Sequence, residues 1–162
     1  MLNPNWARWI MASVAVYFQP FIEGILKLPL LTEGVDGREH EKMHYNHAEL
    51  RVNGPFIVEP SRNYYILNVD INVILTELMN DHKDNAYDLM TWCGVIQSAM
   101  DGPIDVFRYG NEEGDDQEWI GCLVPRRGRY DSNRVLHFGQ VSRVDRVRQS
   151  EVDGRFKMDL YS

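Results

Sequence analysis

Two cysteines in 162 residues rule out a disulfide framework and fall short of the four that a zinc ribbon takes. Cys93 and Cys122 lie 29 positions apart in apolar surroundings, and both read as buried reduced thiols. Long apolar runs are missing as well. The nearest approach, "WIMASVAVYFQPFIEGILKLPLL", is broken by Gln19, Pro20, Glu23, Gly24, Lys27 and Pro29, whereas a spanning helix needs about 18 or more uninterrupted apolar residues. No membrane partner is expected. A lone Arg8 stands where a secretory leader carries a basic cluster, and no small-residue cleavage site follows, so synthesis in the cytoplasm is expected. The chain has no G-x-S-x-G, no phosphate loop and no dinucleotide-binding fingerprint. Internal repeats and low-complexity tracts are also absent.

What is there suits one globular domain. Hydrophobic residues make up 44% and aromatic residues 11% of the chain, enough to build a core at this length. The net charge of −7 is unevenly spread. Residues 101–118 carry seven acids, among them Glu112, Glu113, Asp115 and Asp116, against the single base Arg108. Residues 126–157 reverse the balance, with nine bases, including Arg126, Arg127 and Arg129, against four acids. Two such segments either form solvated faces or attract one another between copies of the chain. Specific nucleic-acid binding is not expected, because the arginines are not interleaved with aromatics and the molecule as a whole is acidic. "RRGRYDSNR" reads as an exposed basic hairpin turn.

Along the chain, Asn3 is placed to cap a helix with Pro4 at its first position. Trp6, Trp9, Ile10, Val14 and Tyr17 then supply an apolar stripe that ends around Gln19 and Pro20. "LKLPLLTEGVDG" is extended, and the segment near 33–47 is expected to be a loop. From Ala48 the period becomes two. "AELRV" and "FIVE" read as strands on either side of a turn at Asn53-Gly54-Pro55, and "NYYILNVDINVILTEL" is the clearest strand of the sequence. It sets Tyr65, Leu67, Val69, Ile71, Val73 and Leu75 on one face and Asn68, Asp70, Asn72 and Thr76 on the other. "DNAYDLMTWCGVIQSAM" reads as a second helix, capped by Asp84 or Asn85 and buried through Leu89, Cys93, Ile96 and Met100, with Gly102-Pro103 ending it. Four short strands follow: "IDVFRYG", "EWIGCLV", "RVLHFGQV" and "EVDGRFKMDLYS". The expected architecture is a single α+β domain with a mostly antiparallel sheet and two helices packed on one side.

The most chemically suggestive stretch is "HEKMHYNH", residues 40–47, which contains a literal H-E-x-x-H. In a zinc hydrolase two histidines four apart share a helical face and converge on the metal, while the glutamate polarises the bound water. Here that set is His40, His44 and His47 with Glu41 as base. The motif opens three residues after Gly37, lacks an apolar stripe beyond Met43 and runs into a strand-like "LRV", so its helix would be short and polar. Chance writes such a match in about one of a hundred sequences of this composition. A protruding loop that contacts solvent or a neighbouring subunit is the preferred reading, with no metal and no cofactor. Asp70 with Glu77 offers a carboxylate pair, read here as solvent or interface groups, and Cys93 in "TWCGV" reads as a packed core thiol.

An amphipathic first helix, the extended "LPLLTEG", then "AELRVNGP" with a long strand, one further helix and the terminal "VDGRFKMDL" together resemble small virion proteins of bacteriophages, the tail terminator or tail completion family in particular. The resemblance implies an α+β subunit without catalytic residues that forms a ring, usually a homohexamer. Such a ring caps the tail tube and joins it to head-side connector proteins, with DNA passing through its lumen. Its location would be the neck of the virion, after assembly in the host cytoplasm. In such a ring Asn68, Asp70 and Asn72 would line the lumen or meet a neighbour. The acids Glu112, Glu113, Asp115 and Asp116 would meet Arg126, Arg127 and Arg129 of the next copy. A head-closure or adaptor ring is the alternative within the same class, and the zinc hydrolase is the alternative outside it.

Overall fold

The computed structural model describes residues 2–32, 46–79, 87–110, 117–126, 133–142 and 146–161. Helix α1 (Trp6–Gln19) opens the chain. The N-cap is Asn5, with no side-chain capping bond; Asn3 Oδ1 accepts from the Asn5 N–H at 2.9 Å in the turn ahead of it, so Asn3 is not the cap and the helix starts two residues later than Pro4. Trp6, Trp9, Ile10, Ser13, Val14 and Phe18 are its buried face. The helix does not stop at Pro20. It widens into a π-helical turn (Pro20–Ile25), with the Leu26 N–H donating to the Phe21 carbonyl at 3.0 Å; proline is tolerated there because it stands at the first position of the turn.

Seven strands are found among the described residues: β1 (Leu30–Thr32), β2 (His47–Ser61), β3 (Tyr64–Leu78), β4 (Ile104–Arg108), β5 (Glu118–Pro125), β6 (Asn133–Ser142) and β7 (Val147–Tyr161). Helix α2 (Tyr87–Ala99) lies between β3 and β4. The sheet order is β1-β2-β3-β7-β5-β4, with β6 also paired to β7. Only β1 and β2 pair in parallel; every other ladder is antiparallel. An α+β domain with a mostly antiparallel sheet is therefore the observed fold.

Two features of the topology differ from the sequence expectation. "AELRV" and "FIVE" are not two strands around a turn; they belong to one 15-residue strand, β2. Its pairing with β3 shifts between Asn53 and Phe56 and again between Val58 and Ser61, each shift placing one extra residue on β2 as a bulge. Gly54 sits in the first bulge at φ +114°, and a Cβ there would lie 2.7 Å from the Asn68 carbonyl oxygen, so only glycine fits. The second difference concerns β5 and β6. Val124 and Pro125 of β5 pair with Lys157 and Phe156, the Arg126 N–H donates to the Arg155 carbonyl, and Asn133 of β6 pairs with Gly154. The two strands thus follow one another along the same edge of β7 and are not partners; residues 127–132, most of the basic turn expected between them, lie outside the described residues.

The core is one cluster in which Ile10, Val14 and Phe18 of α1 and Leu89, Cys93 and Ile96 of α2 join Leu67, Val69, Ile71, Val73 and Leu75 of β3. These five are fully buried, as their two-residue period predicts. The helices are also tied by polar contacts. The Tyr17 hydroxyl donates to the Ala99 carbonyl at 2.7 Å, the Ser13 hydroxyl accepts from the Phe107 N–H at the β4 bulge at 3.0 Å, and Asn133 bridges Gln97 and Asp101 at the end of α2. Burial raises the Tyr17 hydroxyl pKa.

Candidate subunit interface

Alternation along β3 puts Asn68, Asp70 and Asn72 together on the face opposite the core, each half-buried. Pairing assigns their neighbours. Asn72 lies between Arg51 and Asp153, Asp70 between Asn53 and Arg155, and Asn68 between Phe56 and Lys157. Ion pairs stitch this face: Arg51 Nε to Glu49 Oε1 at 3.0 Å, Arg134 Nε to Asp153 Oδ2 at 3.2 Å and Lys157 Nζ to Asp159 Oδ2 at 3.8 Å. Each involves at least one well-exposed partner and contributes little on its own. The face is therefore a mixed-sign surface, not a basic one.

One pair on it is out of the ordinary. Glu151 stands between Ile74 of β3 and Leu136 of β6, so its carboxylate is flanked by apolar side chains. Burial pushes its pKa up; the hydrogen bond and the charge of neighbouring Asp153 push it further, against an opposing pull from Asn72 and Arg51. Asp153 Oδ1 is buried without a hydrogen-bond donor, and a protonated Glu151 would supply one. Because the folded pKa lies above the ordinary value, this site contributes stability that is present at low pH and is lost as pH rises through the folded pKa. Glu151→Gln keeps a donor at every pH. Urea melts of parent and variant between about pH 4 and pH 7 are expected to diverge as pH rises, the variant becoming the more stable. A variant that is less stable than the parent at neutral pH would refute the shared proton.

The second component is an arm. β2 spans about 50 Å, and its second half, from Asn53 to Ser61, is exposed except at the half-buried Pro55. β1 covers β2 only from Ala48 to Leu50. Beyond it, among the described residues, the outer edge of β2 has no partner strand, and there Phe56, Ile57 and Val58 are 56%, 52% and 51% exposed. Pro55 and Pro60 flank them within the two bulges, an arrangement that blunts an open edge against indefinite strand addition. Tyr64 and Tyr161 stack near the tip with centroids 4.8 Å apart, and Tyr64 donates to Asp159 Oδ1 at 3.0 Å; that bond and burial raise the Tyr64 pKa. At the other side of the sheet, β6 pairs with β7 alone, and its Phe138 and Val141 are exposed.

Of the residues singled out in the sequence, Asn68, Asp70 and Asn72 come together as expected. Asp70 and Glu77 do not: they are seven positions apart along one strand, about 23 Å, and Glu77 is buried opposite Arg148. His47 is not part of a protruding loop. It is the first residue of β2, buried opposite Thr76, a packed strand residue and not a member of a helical ligand set. His40, Glu41 and His44 lie outside the described residues, as do Glu112, Glu113, Asp115, Asp116, Arg127 and Arg129, while Arg126 sits at the end of β5, held to β7 through its backbone. Both thiols are free. Cys93 is buried, which raises its pKa against the lowering effect of a hydrogen bond with Ser150; Cys122 is only half-buried, its pKa also raised, by burial and then by Asp105. Phe56, Ile57 and Val58 were not anticipated as interface residues, although two prolines in one strand are the signature of an unpaired edge. Among the described residues, no helix is long and apolar enough to cross a membrane. No protein-family model matches the chain, and a search of curated proteins finds no match.

Proposed function

We propose that the chain is a structural subunit, not an enzyme, that assembles with copies of itself into a closed ring, and that this ring sits in the neck of a bacteriophage, ending the tail tube and joining tail to head. The arm carries the reading. Phe56, Ile57 and Val58 are held half-exposed on an open strand edge, an arrangement unfavourable for a solitary monomer. A neighbouring copy that covers the segment removes the exposed apolar area and the open edge together. The order of elements, which resembles that of tail terminators, supports a terminator position, with a head-closure or adaptor ring next to it in class.

In this reading both helices back one side of the sheet. The opposite face, with Asn68, Asp70 and Asn72, lines the lumen or meets the tail tube and connector proteins. Its mixed charge fits passage of DNA without specific binding. Native mass spectrometry and negative-stain images of the purified protein are expected to show a ring near six copies, and peptide mapping of purified virions to find the chain. A strict monomer at the highest attainable concentration would overturn the ring, and its absence from virions would overturn the neck.

A further inference from the structure

We infer that copies join head to tail, the arm of one docking on the outer edge of β6 of the next. This rests on the assembly reading and names the surface that receives the arm. Besides the outer sides of the terminal strands β1 and β4, the described strands leave open the outer edge of β2 beyond β1 and that of β6, which lie at opposite sides of the same sheet, one bordering β3 and the other bordering β7. They are also diagonal. The arm edge runs beside the half of β3 that ends at Tyr64, while β6 runs beside residues 147–154 of β7, the half that pairs with residues 71–78 of β3. A contact between unlike edges is heterologous, and such a contact generates a ring when its rotation closes and a filament when it does not.

The composition of each edge selects the other over itself. Glu59 is the only charged residue of 53–61, and Arg134 is the only charged residue of β6 at neutral pH. Arm against arm sets like charges on the same seam; arm against β6 sets Glu59 beside the exposed Arg134, which also pairs with Asp153 of its own chain. Prolines 55 and 60 confine the arm's outward backbone N–H groups to alternate residues within 56–59, the others facing β3, so two arms make a poor ladder with each other. β6 contains no proline, so its backbone is able to complete a short ladder with those groups. Apolar side chains stand exposed on both edges, Phe56, Ile57 and Val58 on one and Phe138 and Val141 on the other. The arm therefore finds on β6 an apolar surface to match its own and proline-free backbone to pair with.

The test uses the full chain with Cys122→Ser, which leaves only the buried Cys93, and a short bis-maleimide cross-linker. Ile57→Cys combined with Phe138→Cys is expected to give a ladder of cross-linked multimers, while each single substitution gives none. Dimers formed by Ile57→Cys alone would overturn the proposal in favour of a two-fold arm contact. A ring that persists by sizing yet yields no ladder would overturn the docking mode and leave the ring reading standing. Monomers in every preparation would overturn both. As a second measurement, Ile57→Asp is expected to raise the protein concentration needed for assembly by about tenfold or more with an unchanged circular dichroism spectrum. Unchanged assembly by this variant would also overturn the proposal.

Discussion

Phe156→Ala is expected to lower the free energy of unfolding by about 3–5 kcal/mol, seen as an earlier urea midpoint with an unchanged slope. Phe156 is among the largest fully buried side chains. It sits in β7 where that strand is bordered by Val69 of β3 on one side and Pro125 of β5 on the other, the place where the sheet leaves its long three-stranded part and continues into β5 and β4. Truncation to the β-carbon removes transfer energy and leaves a hole bounded by backbone on both flanks, which has little freedom to collapse. Against a typical total of about 5–15 kcal/mol, the loss is a third or more of the stability. A loss under about 1 kcal/mol would mean that the ring is not packed as described.

Gly154→Val is the other substitution with a large expected effect. In an open strand valine outranks glycine by up to about 1 kcal/mol. At this position a Cβ would lie 2.9 Å from Met100 Sδ and 2.9 Å from Phe156 Cε2, both buried, so packing opposes propensity. Overfilling a dense interior costs about 1–3 kcal/mol, and the net sign is destabilising. Met100→Ala, which removes one of the obstructing side chains, is expected to couple with it, the double variant losing less than the sum of the single losses in urea melts. Additive losses would show that Met100 does not obstruct the site.

The strand from Tyr64 to Leu78 and the stripe of α2 were legible because each buries one face, and a buried face writes its period into the sequence. β2 was not legible as one strand, because Gly54 and Pro55 are ordinarily turn residues. They stand inside a strand here where, among the described residues, no partner strand lies beyond β2, so the missing proline N–H costs no described ladder bond. Asn68, Asp70 and Asn72 were readable as one face, but their neighbours Arg51, Asp153 and Arg155 were not, since register between distant strands leaves no local mark. For the same reason the burial that raises the Glu151 pKa comes from strand neighbours such as Ile74 and Leu136, 77 and 15 positions away along the chain. His47 was misplaced because a polar sequence around it was taken for a loop, whereas its own side chain is packed.

The position of β7 has a consequence for synthesis. The strand that comes last among those described lies between β3 on one side and β5 and β6 on the other, and its ladder with β3 joins residues more than 65 positions apart, from Tyr64–Tyr161 to Leu78–Val147. Such contacts make folding slow relative to helical domains of equal size. A nascent chain emerging from the ribosome therefore carries β3, β5 and β6 with their shared partner absent until residues 147–161 have been translated. Until then the inner faces of β3 and α2 are available to chaperones, and the native sheet does not form in advance of β7.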